Sequence, residues 1–135
     1  MTFKTLIGSL KRVRRPKKYL IKWGGKSRSK RQRAVKKFLR PYWKDQIVFE
    51  EFPVAGTRMT FDFYNANKKI AIEVQGRQHT QYVPFFHGNK MNYLSQLRRD
   101  HDKMDFCKLN KIKLIEVYDD DEISVAFFKK NKLLL

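Results

Sequence analysis

At 135 residues the chain has the length of one domain, and its 41% apolar and 14% aromatic content is that of a folded protein, not a disordered basic tail. The net charge of +18 is unevenly placed: residues 1–44 hold 17 Lys/Arg and no Asp/Glu, whereas residues 45–135 hold 14 basic and 13 acidic side chains. A nearly neutral domain carrying a basic N-terminal third points to a polyanion partner, and the lack of a signal-peptide core or of ~20 consecutive apolar residues argues against secretion and membrane insertion.

Residues 1–25 read as a basic arm interrupted by Pro16, Gly24 and Gly25, with the short apolar pieces Leu6-Ile7 and Tyr19-Leu20-Ile21 able to order on the domain or on DNA. Arg12, Arg14, Arg15, Lys17 and Lys18 are its candidate phosphate contacts, with Trp23 as an aromatic that can stack on or insert between bases. The bland alternatives are a solvated surface, an expression artefact or a localisation signal. Residues 26–135 read as the folded domain.

Ser27 or Ser29 is placed to cap a first helix running to about residue 39, with Ala34, Val35, Phe38 and Leu39 as its apolar side and Lys/Arg over the rest. Arg28, Lys30, Arg31 and Arg33 extend the basic surface there, and Pro41 is expected to end or kink the helix. Residues 47–52 read as a strand and 53–56 as a turn. Residues 59–64 read as a second strand, with Met59, Phe61 and Phe63 on one face and Asp62 on the other. A hairpin turn at 65–68 leads to a third strand, 69–74, apolar enough to be central.

After His79 comes an irregular stretch over 80–93, then a helix over 94–109 with Asn110 as its C-terminal cap. Residues 113–117 read as a fourth strand, and Asp119 to Asp121 open a last helix over 122–130. The order predicts an α/β domain: three antiparallel strands, then a fourth added in parallel through a helix, giving a mixed sheet of about four strands flanked by helices. Cys107, the single cysteine, falls on the apolar face of its helix and reads as core. Without a disulfide or a Cys/His zinc cluster, an intracellular location is expected.

The chemistry concentrates between residues 59 and 79. Asp62 and Glu73, on hairpin-paired strands, can share one face and one sheet end, and the Val74 carbonyl adds a third oxygen. That donor set suits Mg2+, with Mn2+ as a substitute, for phosphodiester hydrolysis. Gln75 can position a water or a phosphate, and His79 can act as general base or acid. Against this, Asp62 can simply pair with Arg58 or Lys69, Glu73 can sit at an exposed edge, and His79 can be an ordinary histidine. His87 and His101 read as ordinary histidines.

Asp62, Ile72-Glu73-Val74-Gln75-Gly76, Gln78-His79, Leu97-Arg98-Arg99-Asp100 and the run from Asn110 to Glu116 together resemble the PD-(D/E)XK nuclease superfamily. The branch it looks most like contains the very-short-patch repair endonucleases and the phage homing endonucleases of the EDxHD type. The resemblance covers residues 27–128. It implies a restriction-endonuclease-like core and Mg2+-dependent cleavage or nicking of double-stranded DNA at a specific site, as a homing-type enzyme from a phage acting in the host cytoplasm, with a homodimer as one expected state. It implies Asp62 as principal metal ligand, Glu73 beside it, His79 as base or acid, and Asp100, next to Arg99, orienting His79 or a water, with Asp102 as fallback. Two positions depart from the pattern. Gln75 stands where the superfamily often has lysine. The first helix carries no acid, leaving Gln32 at the expected position or Glu51 on the first strand as the contributor.

Phosphate contacts extend to Arg58 and Arg77, and base readout would come from the arm or from residues 80–93, where Phe85 and Phe86 are a groove wedge or a core lid. Two other expectations share much of this pattern. One is a structure-selective nuclease such as a junction resolvase or mismatch nickase. The other is a nucleic-acid-binding protein without catalysis, which gains nothing from two inward acids.

Overall fold

Val74 and Gln75 send their backbone N–H groups to opposite sides of their strand, one to an aspartate carboxylate and the other to the Val117 carbonyl of a parallel neighbour. Around that strand the computed structural model describes residues 1–76 and 90–135. Among them lie β1 (Thr2–Lys4), β2 (Leu10–Arg12), a 3-10 helix (Pro16–Tyr19), α1 (Lys30–Trp43), β3 (Val48–Pro53), β4 (Thr60–Asn65) and β5 (Ile70–Val74). Then follow α2 (Lys90–Leu109), β6 (Lys113–Val117) and α3 (Val125–Lys130).

The fold is α/β. Strands β3 to β6 form one mixed sheet in sequence order, with β3, β4 and β5 antiparallel and β6 parallel to β5. This is the meander and crossover expected from the order of elements. Strand β5 lies between two neighbours and under helices on both faces, which is why Ile70, Ala71 and Ile72 are all buried. One face packs Phe49, Phe52, Phe61, Tyr64 and Ala71 against Phe106 and Cys107 of α2. The other packs Phe63, Ile70, Ile72 and Val117 against Val35, Leu39 and Trp43 of α1 and Phe128 of α3. Cys107 is core, as expected, and burial pushes its thiol up to about 12, with Glu73 adding to the rise.

The segment read as a basic arm folds onto the domain. β1 and β2 pair as a hairpin, and Phe3 and Val13 are buried in the Phe52–Phe106 cluster. Asn110 clamps the hairpin, accepting the Lys4 N–H at 2.8 Å and donating to the Lys4 carbonyl at 2.9 Å. Residues 20–21 run along the edge of β3, where the Ile21 N–H reaches the Val48 carbonyl at 3.0 Å. Gly56, in the β3–β4 turn, has φ +85, and a Cβ there would lie 2.9 Å from Thr5 Cγ2. A side chain at 56 would push against Thr5 and hold a strained left-handed backbone, so glycine suits the close approach of the turn and the hairpin. Single apolar residues spaced among cations conceal this docking in the sequence.

Four boundaries or faces differ from expectation. Helix α1, capped by Ser29 Oγ accepting from Gln32 N, continues through Pro41 to Trp43. Proline removes one bond there, while the Lys44 N–H still reaches the Arg40 carbonyl and buried Trp43 anchors the last turn. The inward face of α1 is Gln32, Val35, Lys36, Leu39 and Trp43, and Ala34 is exposed. Helix α2 begins at Lys90, a turn before the expected 94. The last helix begins only after Ser124, whose hydroxyl accepts from Phe127 N, because Asp121 instead caps the Tyr118 N–H.

The face assignment on β4 also differs. Phe61 and Phe63, expected together, lie in opposite clusters. The pairing of Glu50 with Phe63 and of Phe52 with Phe61 leaves Glu51 opposite Asp62, and Glu51 has the left-handed φ of 54. Both strands change phase there, so Phe49 joins Phe52 and Phe61 joins Tyr64 at a spacing of three residues instead of two.

Candidate functional site

The sheet end where β4 and β5 part opens into a cleft of about 660 Å³ lined by Asp62, Glu73, Val74 and Gln75. The β4–β5 ladder stops at Phe63 and Ile72. Beyond it Asp62 Oδ2 accepts the Val74 N–H at 2.7 Å, so a side chain replaces the missing backbone acceptor. Asp62 and Glu73 are buried, at 7% and 4% exposure. Burial pushes the Glu73 carboxyl up to about 9, the Asp62 carboxyl beside it adds to the rise, and the Lys103 ammonium pulls the other way. Lys103 Nζ lies 2.5 Å from Glu73 Oε1.

Cations form much of the remaining wall. Arg28, Arg31, Arg58, Arg99 and Lys103 line the cleft, with Asp119 as a further acid. Arg31 is held by the carbonyls of Tyr118 (3.0 Å) and Asp121. Two buried carboxyls in contact repel each other when both are charged, a repulsion that the Lys103 ammonium offsets in part and that a proton or a divalent cation could also balance. Carboxylate oxygens are the hard donors that Mg2+ takes, so the residues present fit that ion.

The structure brings together several of the residues singled out in the sequence. Asp62, Glu73, Val74 and Gln75 share the cleft with Gln32, Arg28, Arg31 and Arg58. His79 and Arg77, like Phe85, Phe86 and His87, lie outside the described residues. Asp100 is not among the lining residues; it accepts from Gln96 Nε2 at 3.1 Å and adds its charge to the surroundings of Tyr118. Asp102 sits with His101 and Asp105 on α2, where His101 Nδ1 and Asp105 Oδ2 are 3.3 Å apart, away from the cleft lining. Lys30 and Arg33 are exposed on α1, and Arg12, Arg14, Arg15, Lys17 and Lys18 are exposed on the N-terminal segment. Trp23 is half-buried against the α1-side cluster, so its ring is partly committed to packing.

Gln32 and Glu51, the two candidates for a missing helix acid, are hydrogen-bonded to each other. The Gln32 amide, 2% exposed, donates to Glu50 Oε2 and to Glu51 Oε1, each at 2.9 Å. Lys36 Nζ meets Glu50 Oε1 at 2.8 Å, and Arg28 meets Glu51 Oε2 at 2.9 Å. Gln32 therefore works as a donor that joins two acids, and Glu51 borders the adjoining groove and not the cleft itself.

Lys103 was missed by the sequence reading. The signal was its spacing on α2: stepping back from buried Phe106 by three, four and three residues gives Lys103, Arg99 and Gln96, all cleft-lining. The structure thus puts a lysine from α2 beside Glu73, while Gln75 stands two residues after it on the chain.

Comparison with known proteins returns viral relatives. The chain is 32% identical over 100 residues to the uncharacterized protein 307L of Invertebrate iridescent virus 6, an alignment covering 70% of this chain and 51% of that protein. It is 34% identical over 77 residues to the uncharacterized protein 033L of Invertebrate iridescent virus 3, covering 57% and 40%. It is 44% identical over 66 residues to the uncharacterized protein 094L of Frog virus 3 (isolate Goorha), covering 48% and 43%. The chain spans about half the length, or less, of these curated relatives. No protein-family model and no solved structure matches it. Among the described residues no helix is long and apolar enough to cross a membrane.

Proposed function

We propose that this chain is a virus-encoded, Mg2+-dependent endonuclease that cleaves or nicks double-stranded DNA. The observation that carries the reading is the contact of two buried acids, Asp62 and Glu73, in a cleft where four arginines and Lys103 outnumber the one further acid, Asp119. A binding-only surface would be weakened by inward carboxyls facing phosphate, whereas a hydrolytic site needs them. The viral sources of the relatives bear on the origin alone and support a virus-encoded chain.

Asp62 and Glu73, with the Val74 carbonyl, would hold the ion, which supplies charge neutralisation and a nucleophilic water. Arg58 and Arg99 would bind the phosphate oxygens flanking the scissile bond. Lys103 keeps a positive charge at Glu73 and holds that carboxyl in the cleft. Gln75 presents an amide at the cleft wall. His79, five residues past the end of β5 in the sequence, would move the proton of the attacking or leaving oxygen. Site specificity and a homodimeric state belong to the same proposal.

The test is incubation of supercoiled and linear DNA with the protein in Mg2+ and in EDTA, beside Glu73→Ala. Discrete Mg2+-dependent breaks that the variant lacks support the reading. Salt-sensitive DNA binding with no break under any divalent ion would replace it with a non-catalytic DNA-binding protein.

A further inference from the structure

We propose that a second, basic groove along the β3 edge carries the nucleic-acid backbone away from the cleft toward the N-terminal hairpin, so that the contact surface extends well beyond the cutting site. This rests on the nuclease reading for the identity of the polyanion. Arg28 lines both the cleft and a neighbouring groove of about 300 Å³ whose other cations are Lys18, Lys22 and Lys26. Tyr19 in turn lines both that groove and a further one of about 440 Å³ edged by Arg12 and Arg14. Each depression therefore neighbours the next through a shared lining residue, Arg28 and then Tyr19.

Two acids stand on the wall of the middle groove and would repel phosphate if free. Neither is. Glu50 is held by Lys36, Gln32 and the Ser27 hydroxyl, and Glu51 by Arg28, Gln32 and the Thr60 hydroxyl. Lys18, Lys22 and Lys26 are exposed and, among the described residues, meet no carboxylate. They recur every fourth residue on a segment pinned to the domain by the Ile21–Val48 bond and by Tyr19 packed edge-on against Phe52. A partly buried network neutralises the wall acids and leaves three exposed lysines that meet no carboxylate among the described residues, with Lys18 Nζ 5.6 Å from the Tyr19 ring centre; that is the electrostatics of a phosphate track.

The experiment measures binding of a duplex of about three helical turns, in Ca2+ or EDTA to prevent cutting, as a function of salt. It compares Lys18→Gln/Lys22→Gln/Lys26→Gln with the charge-matched Lys108→Gln/Lys129→Gln/Lys130→Gln. These six side chains are exposed, and the Lys22 and Lys26 backbone carbonyls that accept hydrogen bonds remain. The groove variant is expected to bind at least 10-fold more weakly, with the slope of log K against log salt shallower by about 2 to 3, near 0.9 per lost phosphate contact. The matched variant keeps the wild-type slope. Equal slopes for both variants, or no change in either, overturn the track while leaving the cleft reading intact if the wild type binds and cuts. A wild type that does not bind duplex at all overturns both.

Discussion

Asp62 Oδ2 accepts the Val74 N–H at 2.7 Å, so the acid on β4 fixes the strand end that carries Glu73. One carboxyl oxygen of Asp62 is thus structural, and the rest of the group faces the cleft. Asp62→Asn keeps an acceptor for Val74 but loses the charge. Its stability should stay within about 1 kcal/mol of wild type, while cleavage falls on the order of 100-fold or more and any Mg2+-induced rise in Tm disappears. Asp62→Ala also orphans the Val74 N–H and should cost about 1–3 kcal/mol. Urea unfolding with Mg2+ and with EDTA separates the two effects.

Glu73 has its pKa raised from 4.5 to about 9, chiefly by burial. Below 4.5 the carboxyl is protonated in both folded and unfolded chains and costs nothing. Between there and about 9 the unfolded chain loses the proton and the folded chain keeps it, so stability in EDTA falls as pH rises through that window. Glu73→Gln should flatten this part of the profile. Because Mg2+ binding requires the deprotonated group, the Mg2+-induced rise in Tm should grow with pH over the same window.

Lys103 opposes the rise at Glu73 from 2.5 Å away. Lys103→Met removes that pull, so the Glu73 carboxyl moves further up and the metal response shifts to more alkaline pH. Cleavage near neutral pH should fall about 10- to 100-fold, with partial recovery as pH is raised. A pH–rate profile of the variant checks this; an unshifted profile with a uniform loss would make Lys103 a phosphate contact instead.

Gln32 donates to two acids at once. Gln32→Glu, which restores the acid expected on the first helix, would replace both donors with a third carboxylate. The variant should lose about 3 kcal/mol near neutral pH and regain part of it as pH falls toward the carboxylate range. Retained stability together with stronger Mg2+ binding would show that the position accepts a ligand acid.

Gly56 combines φ +85 with Thr5 Cγ2 at 2.9 Å from the Cβ position. Gly56→Ala should cost about 1–3 kcal/mol and loosen the docked hairpin, seen as early proteolysis after Lys11 or Arg12. Adding Thr5→Ala relieves the clash but not the backbone strain, so the double variant should recover only part of the loss.

The four sheet strands were legible because each is a short apolar run bounded by turn residues, and the Asp62–Glu73 pairing followed from the hairpin turn at 65–68. Other features were hidden for identifiable reasons. Lys103 lies 30 residues after Glu73 on another element, so no strand pattern announces it. The switch of faces at Glu51 and Asp62 depends on one positive φ and on a carboxylate taking over a ladder bond, which alternation cannot encode. The docking of residues 1–25 rests on Phe3, Val13 and Tyr19, three apolar side chains in a strongly basic segment.

By itself the sequence determined the element order, the acids of the site and the lopsided charge, since periodicity, turn chemistry and composition are local properties of the chain. Tertiary structure decided which charges meet. It buried Glu73 against Asp62 and gave it Lys103, turned Gln32 and Lys36 inward to hold Glu50 and Glu51, and laid the basic segment along the β3 edge. Electrostatic partners are set by distance through space and by exclusion of water, and both exist only once the sheet and helices have packed.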